Sequence, residues 1–154
     1  MYADRYISTI VALLLVVFLG IWAYLLPPGP ARPTNLPILV VDTHLNDVAA
    51  AYPATREIRI NPYVMALYEP RVVTFLLEHE QWHLILNHSL TVDSAARVKQ
   101  ELEADCFAAR NVSPLEVEAA YTFFLNRPYA SPLHPDGRSR ALYLAHCSLR
   151  GKSR

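Results

Sequence analysis

Three hydrophobic patterns follow one another along the chain. From Ile7 to Leu26 (ISTIVALLLVVFLGIWAYLL) twenty residues carry no charge, enough for a helix to cross a bilayer. Tyr2, Tyr6, Trp22 and Tyr24 stand near its ends, where interfacial aromatics belong. PPGPARPTNLP then packs five prolines into eleven residues and reads as a stiff, extended spacer. Beyond it, ILVVD (38–42) is a short apolar run closing on an acid, and predicts a strand. EIRI (57–60) alternates, with the turn residues PAT before it, and predicts a hairpin.

From Pro70 the period changes to that of a helix. Val72, Phe75, Leu76, Trp82, Leu84, Ile85 and Leu86 give broad apolar coverage, so this helix is expected to be largely buried, with proline suited to its first turn. Three more helices are expected. One covers Asp93–Arg110 with Asp93 as cap; one opens on the capping box Ser113-Pro114-Leu115-Glu116 and runs to Asn126; the last is capped by Asp136 and ends near Leu149. The expected class is α+β, a small sheet plus about four helices preceded by one N-terminal transmembrane helix. The divisions are an anchor at 1–26, a spacer at 27–36 and a folded domain at 37–154.

Composition narrows this further. Of 154 residues, 53% are hydrophobic and 18% charged, too apolar for disorder and sufficient for one cored domain. Net charge is zero, and basic residues gather only at Arg150, Lys152 and Arg154, so no nucleic-acid footprint is present. The apolar run is longer than a usual signal-peptide core, and LLPPGPARP offers no convincing small-x-small cleavage site, which favours a retained anchor over a cleaved leader. Sidedness is weakly marked, since Asp4 offsets Arg5 and only Arg32 stands close on the other side. A signal anchor holding the domain outside the cytoplasm is the default. Cys106 and Cys147 leave the compartment open, because they can pair in an oxidising environment or serve as small buried hydrophobes.

Candidate chemistry is concentrated at LLEHEQWHLILNH (76–88). Residues four apart on a helix lie roughly 40° apart in azimuth, so His79 and His83 can offer two imidazole nitrogens to one ion. Glu80, one position along, can reach a water bound to that ion and act as general base. The plain alternative is a helix showing polar residues on its wet side. A catalytic zinc needs a third protein ligand, and QELEADCFAAR (100–110) supplies candidates. Glu101 and Asp105 share a helix face, whereas Glu103 is turned roughly 200° from Glu101. One acid of the shared face can bind metal while the other holds a ligand imidazole in its tautomer; a solvated acidic face is the competing explanation. His88 falls about 140° round from His83 and is read as marking the end of the helix. His44 and His146 have no partner pattern.

HEQWH followed by ELEAD resembles the gluzincin metallopeptidases, in particular the membrane-associated HtpX-like and CAAX-prenyl-endopeptidase-like group, whose second motif has the form ExxAD. LHPDGRSR (133–140) is similar to the HP-x4-R segment late in that group. The resemblance covers roughly residues 38–145 by motif order, with one anchor here where many relatives have several spans. It implies a minimal zincin-like fold, with His79, His83 and Glu101 as ligands of one zinc ion and Glu80 as the base. It also implies Asp105 and Arg140 as supports behind the ligands, and His134 beside the active site, able to assist the oxyanion or cover the metal. An edge strand before the HExxH helix pairs with extended substrate in such enzymes, which makes EIRINP (57–62) the expected edge.

The function expected from these readings is a single-pass, membrane-anchored zinc endopeptidase. Its partners are a peptide or protein substrate and, through residues 7–26, the lipid bilayer. A non-proteolytic zinc-binding regulatory or structural module on the membrane is the alternative from another class. Intact Glu80 argues against it, because a structural site has four protein ligands and no use for that carboxylate.

Overall fold

The computed structural model describes residues 36–89, 93–127 and 134–151. The expected membrane span (7–26), the spacer up to residue 35, and Lys152 and Arg154 of the basic end lie outside them. Among the described residues no helix is long and apolar enough to cross a membrane.

The fold is α+β, with three strands and five helices among the described residues. Strands β1 (Ile38–Val41), β2 (Ala49–Tyr52) and β3 (Glu57–Ile60) form a sheet of order β1-β3-β2. The hairpin expected around PAT joins β2 antiparallel to β3, with Ala49 opposite Ile60 and Tyr52 opposite Glu57. β1 then pairs parallel to the other side of β3. EIRI is therefore the central strand, which corrects its assignment as the edge. Alternating Ile58 and Ile60 is what a strand packed on one face requires, and AAAY, poorer in pattern, takes the edge.

A single turn, α1 (Pro62–Met65), follows the sheet and adds one helix to the expected four. It is held by Asn61, whose side chain accepts from Tyr63 N and Val64 N while its amide donates to the Thr43 and Leu45 carbonyls. The longer helices are α2 (Pro70–Ile85), α3 (Ser94–Asn111), α4 (Pro114–Leu125) and α5 (Gly137–Gly151). Their starts follow the sequence signals. Asp93 accepts Ala95 N at 3.0 Å, Glu116 accepts Ser113 N at 2.6 Å, and Asp136 accepts both the backbone N–H and the hydroxyl of Ser139. Each satisfies donors that a helix start leaves unpaired.

Helix α2 is buried between two apolar clusters. On one side Val73 packs with Val48, Ala49 and Ile58 of the sheet region. On the other, Phe75 and Trp82 meet Ala104, Ala108, Val117, Phe124, Ala141 and Leu144 from α3, α4 and α5. Ala104 and Ala108 of α3 have no exposed surface, so α3 comes close to α2; Ala141 of α5 is as buried, where α5 packs on α3 and α4. Burying Phe75 alone is worth about 1.5–3 kcal/mol. Trp82 stacks on Phe107 with ring centroids 4.6 Å apart and donates to Glu78 Oε1 at 3.0 Å. Gly137, the first residue of α5, abuts the carbonyls of Arg127 and Phe124 so closely that a Cβ there would collide with both. Glycine thus lets α5 start against the end of α4, which sets the position of Arg140.

Cys106 of α3 and Cys147 of α5 form a disulfide across 41 residues of chain, with Cα atoms 5.3 Å apart. The sequence left this pairing open. In the chain-entropy account a loop of that length stabilises the fold by roughly 4 kcal/mol.

Candidate metal centre

The site is built where α2 and α3 cross. Burial of α2 carries His79 into the interior at 2% exposure, and the i, i+4 spacing of α3 brings Glu101 (2%) and Asp105 (0%) to the same face. Glu103, between them, turns outward with its side chain 44% exposed. Nε2 of His83 lies 3.0 Å from Nε2 of His79 and 3.6 Å from Glu101 Oε1, and His79 Nε2 lies 3.3 Å from Glu101 Oε2. Donors at zinc distances on a tetrahedron stand roughly 3.3–3.4 Å apart. These three residues therefore offer atoms, all within 4.8 Å of one another, that can surround one ion. Glu101 Oε2 is buried and has no hydrogen-bond partner. A cation at this point would satisfy it.

The electrostatics fit the same interpretation. Burial works against a charge on His79, but the carboxylates of Asp105 and Glu101 outweigh it and raise its pKa to about 10. Its proton takes the place of a cation among the three donors. His83 is held below its ordinary value, chiefly by burial, and so keeps a lone pair available. For Glu101, burial alone would raise the pKa, but the two histidines close beside it outweigh that and hold the carboxyl far below its usual range. Two neutralisable imidazoles and one firmly ionised carboxylate are a donor set suited to a divalent metal ion.

Behind the three donors stands a buried chain of charges. His79 Nδ1 is 2.8 Å from Asp105 Oδ1, off the line of a good hydrogen bond. Arg140 of α5 grips Asp105 with two parallel bonds of 2.7 and 2.6 Å. Its guanidinium also lies 3.9 Å over the ring of Phe124. Asp105 and Arg140, named from the resemblance, are thus brought together, with Asp105 between Arg140 and His79.

Glu80 sits at the rim. Its Oε1 is 3.9 Å from His79 Nε2, outside the donor set, while Oε2 accepts the Ala51 N–H at 2.7 Å. Burial, chiefly, raises its pKa to about 7, with the Glu101 charge adding to the rise and His79 opposing it. A carboxylate poised there is suited to taking and giving a proton near neutral pH. His134 also reaches the cluster, with Nε2 3.7 Å from Glu101 Oε2 and a side chain 37% exposed. Burial holds it below its ordinary pKa, so it is neutral at pH 7.

Glu80, His83, Glu101 and His134 line one wall of a cleft of about 320 Å³, and β2 lines another. The Val48 carbonyl accepts Asn61 N across the hairpin. Antiparallel alternation therefore turns the main-chain groups of Ala49 and Ala51 away from β3 and toward the cleft. The strand expected to face substrate, EIRINP, is one strand removed. Arg97 also enters the cleft wall, its Nε 3.7 Å from Glu101 Oε1. Neither the role of β2 nor that of Arg97 had a signal in the sequence beyond i, i+4 spacing from Glu101.

His88 is the residue that periodicity misplaced. It does follow the end of α2, but its ring returns to His83, Nδ1 to Nδ1 at 2.9 Å, and it is 8% exposed. Asn87, just past the helix, is the signal that could have shown this, because asparagine tolerates the left-handed backbone that folds a chain back after a helix.

No protein-family model, curated protein or solved structure matches this chain.

Proposed function

We propose that the chain is a membrane-anchored zinc endopeptidase in which His79, His83 and Glu101 hold one zinc ion and Glu80 is the general base. The observation that carries the reading is the convergence of those three donors around a buried Glu101 oxygen that makes no hydrogen bond, with Glu80 beside the set but outside it. Zinc in such a site supplies Lewis-acid polarisation of a peptide carbonyl and acidifies a water. The remaining steps belong to the chain. Glu80 receives the proton of the attacking water and delivers it to the leaving amine. His134, neutral and partly exposed at the rim, donates a hydrogen bond to the oxygen on which charge develops. The main chain of Ala49 and the carbonyl of Ala51, on the outward edge of β2, pair with an extended substrate, the Ala51 N–H being held by Glu80, a mode that asks little of side chains.

Two further supports concern placement. The disulfide between Cys106 and Cys147 suits an oxidising compartment, which favours the domain lying outside the cytoplasm. The uncharged run 7–26 is the reason for a single-pass anchor. One contact favours the alternative, a non-proteolytic zinc module, since Glu80 bonded to Ala51 N ties α2 to β2 without any chemistry.

The test is hydrolysis of an unfolded, extended polypeptide by the purified full-length chain. Internal cleavage is expected, lost after treatment with a strong chelator and restored by one equivalent of zinc. Binding of zinc without any cleavage across a broad set of unfolded substrates would favour the non-proteolytic module.

A further inference from the structure

Two ligand histidines need two outer partners, because an imidazole binds metal only through a nitrogen that carries no proton. Asp105 stands behind His79. Behind His83 stands no carboxylate but another imidazole, that of His88, with Nδ1 to Nδ1 at 2.9 Å. The backbone makes this possible. At the end of α2 the N–H of His88 bonds to the His83 carbonyl at 3.0 Å and the N–H of Asn87 bonds to the Leu84 carbonyl at 3.3 Å. Asn87 has φ of 52°, the left-handed conformation that this paired closure of a helix requires. The closure places the His88 ring beneath that of His83, and its second nitrogen, Nε2, reaches to 3.5 Å from Glu103 Oε2 on α3.

The tautomers follow from the order of these contacts. His83 presents Nε2 to His79 and Glu101, so its proton must be on Nδ1. That N–H donates to His88 Nδ1, which must then be the acceptor. The His88 proton is accordingly on Nε2 and directed at Glu103. We infer that His88 is a positioning residue, which with Glu103 fixes the tautomer and orientation of His83 through the chain His83 Nδ1–H to His88 Nδ1 and His88 Nε2–H to Glu103. The inference deepens the zinc reading above and rests on it. Glu103, turned away from the metal ligands, thereby acts at one remove.

The test uses two substitutions of similar size in the full-length chain. His88→Asn offers an amide oxygen near the place of Nδ1 and keeps the acceptor, whereas His88→Leu removes it. His88→Leu is expected to raise the zinc dissociation constant about 10–100-fold, and His88→Asn by no more than about threefold. Competition with a chromophoric chelator reads the constants, and the thermal midpoints of the metal-free proteins check that both fold. Should His88→Leu fail to fold, long-range 15N–1H correlations of the parent decide, and His83 is expected to carry its proton on Nδ1. A parent that binds no zinc overturns both the metal reading and this relay. A parent that binds zinc overturns the relay alone if His88→Leu binds it equally tightly, or if His83 carries its proton on Nε2.

Discussion

Glu80→Gln is expected to lower peptide hydrolysis by about 10²–10⁴-fold, the usual contribution of a positioned general base, while zinc content and thermal midpoint stay at parent values. The amide has the same shape and keeps an oxygen able to accept the Ala51 N–H that Glu80 Oε2 accepts at 2.7 Å. The tie between α2 and β2 therefore survives. What is lost is the capacity to take a proton, and with it a carboxylate that burial has raised to about 7. Because Glu80 lies outside the donor set, its replacement leaves His79, His83 and Glu101 intact. Cleavage assayed beside metal content separates the two roles. Parent-level cleavage by Glu80→Gln would remove Glu80 from the mechanism, and loss of zinc would make it a ligand.

Arg140→Met is expected to be the most damaging change to stability, costing about 3–5 kcal/mol as removal of one partner from a buried ion pair does. Asp105 has no exposed surface and Arg140 only 7%, so solvent cannot replace the two bonds of 2.7 and 2.6 Å between them. Methionine fills the volume over Phe124 but leaves the carboxylate facing it. Burial alone would raise the Asp105 pKa; Arg140 and His79 outweigh it and hold the carboxyl below its usual range. A depressed carboxyl contributes stability that is present above its unfolded pKa of about 3.9 and is lost as the pH falls through the lower folded value. In Arg140→Met that contribution at neutral pH should be largely gone. Denaturant unfolding of the two proteins at pH 7 measures the difference, and addition of Asp105→Asn should recover part of it by removing the stranded charge. A loss under about 1 kcal/mol, the range of an exposed pair, would show that water reaches Asp105.

Much of this site was legible because its parts are local. The helix starts at Asp93, Ser113 and Asp136 are signalled by side chains that cap within three residues. The pairing of His79 with His83, and of Glu101 with Asp105, follows from one turn of helix. Other features depend on contacts between distant segments, to which periodicity is blind. EIRI has the better strand pattern because it is packed between two neighbours, and for the same reason it cannot be the edge; AAAY is bland because its work toward the cleft is done by the main chain. Gly137 allows α5 to start against the end of α4, and α5 packs on α3, where Cys147 meets Cys106. His88 escaped because azimuth was extended past Leu86, where the helix stops, and the reversal at Asn87 brings the ring back to His83. The turn at Pro62–Met65 is too short to show a helical period.

On the proposed reading His79, His83 and Glu101 hold one ion together. Elemental analysis of the purified full-length chain beside Glu101→Ala decides this, because Glu101 carries a buried oxygen that makes no hydrogen bond. One zinc per parent chain is expected, and less than about a tenth of that in Glu101→Ala, a loss expected when one of three protein ligands is removed. A parent free of metal after purification and reconstitution with zinc, or a Glu101→Ala protein that keeps its full equivalent, would contradict it.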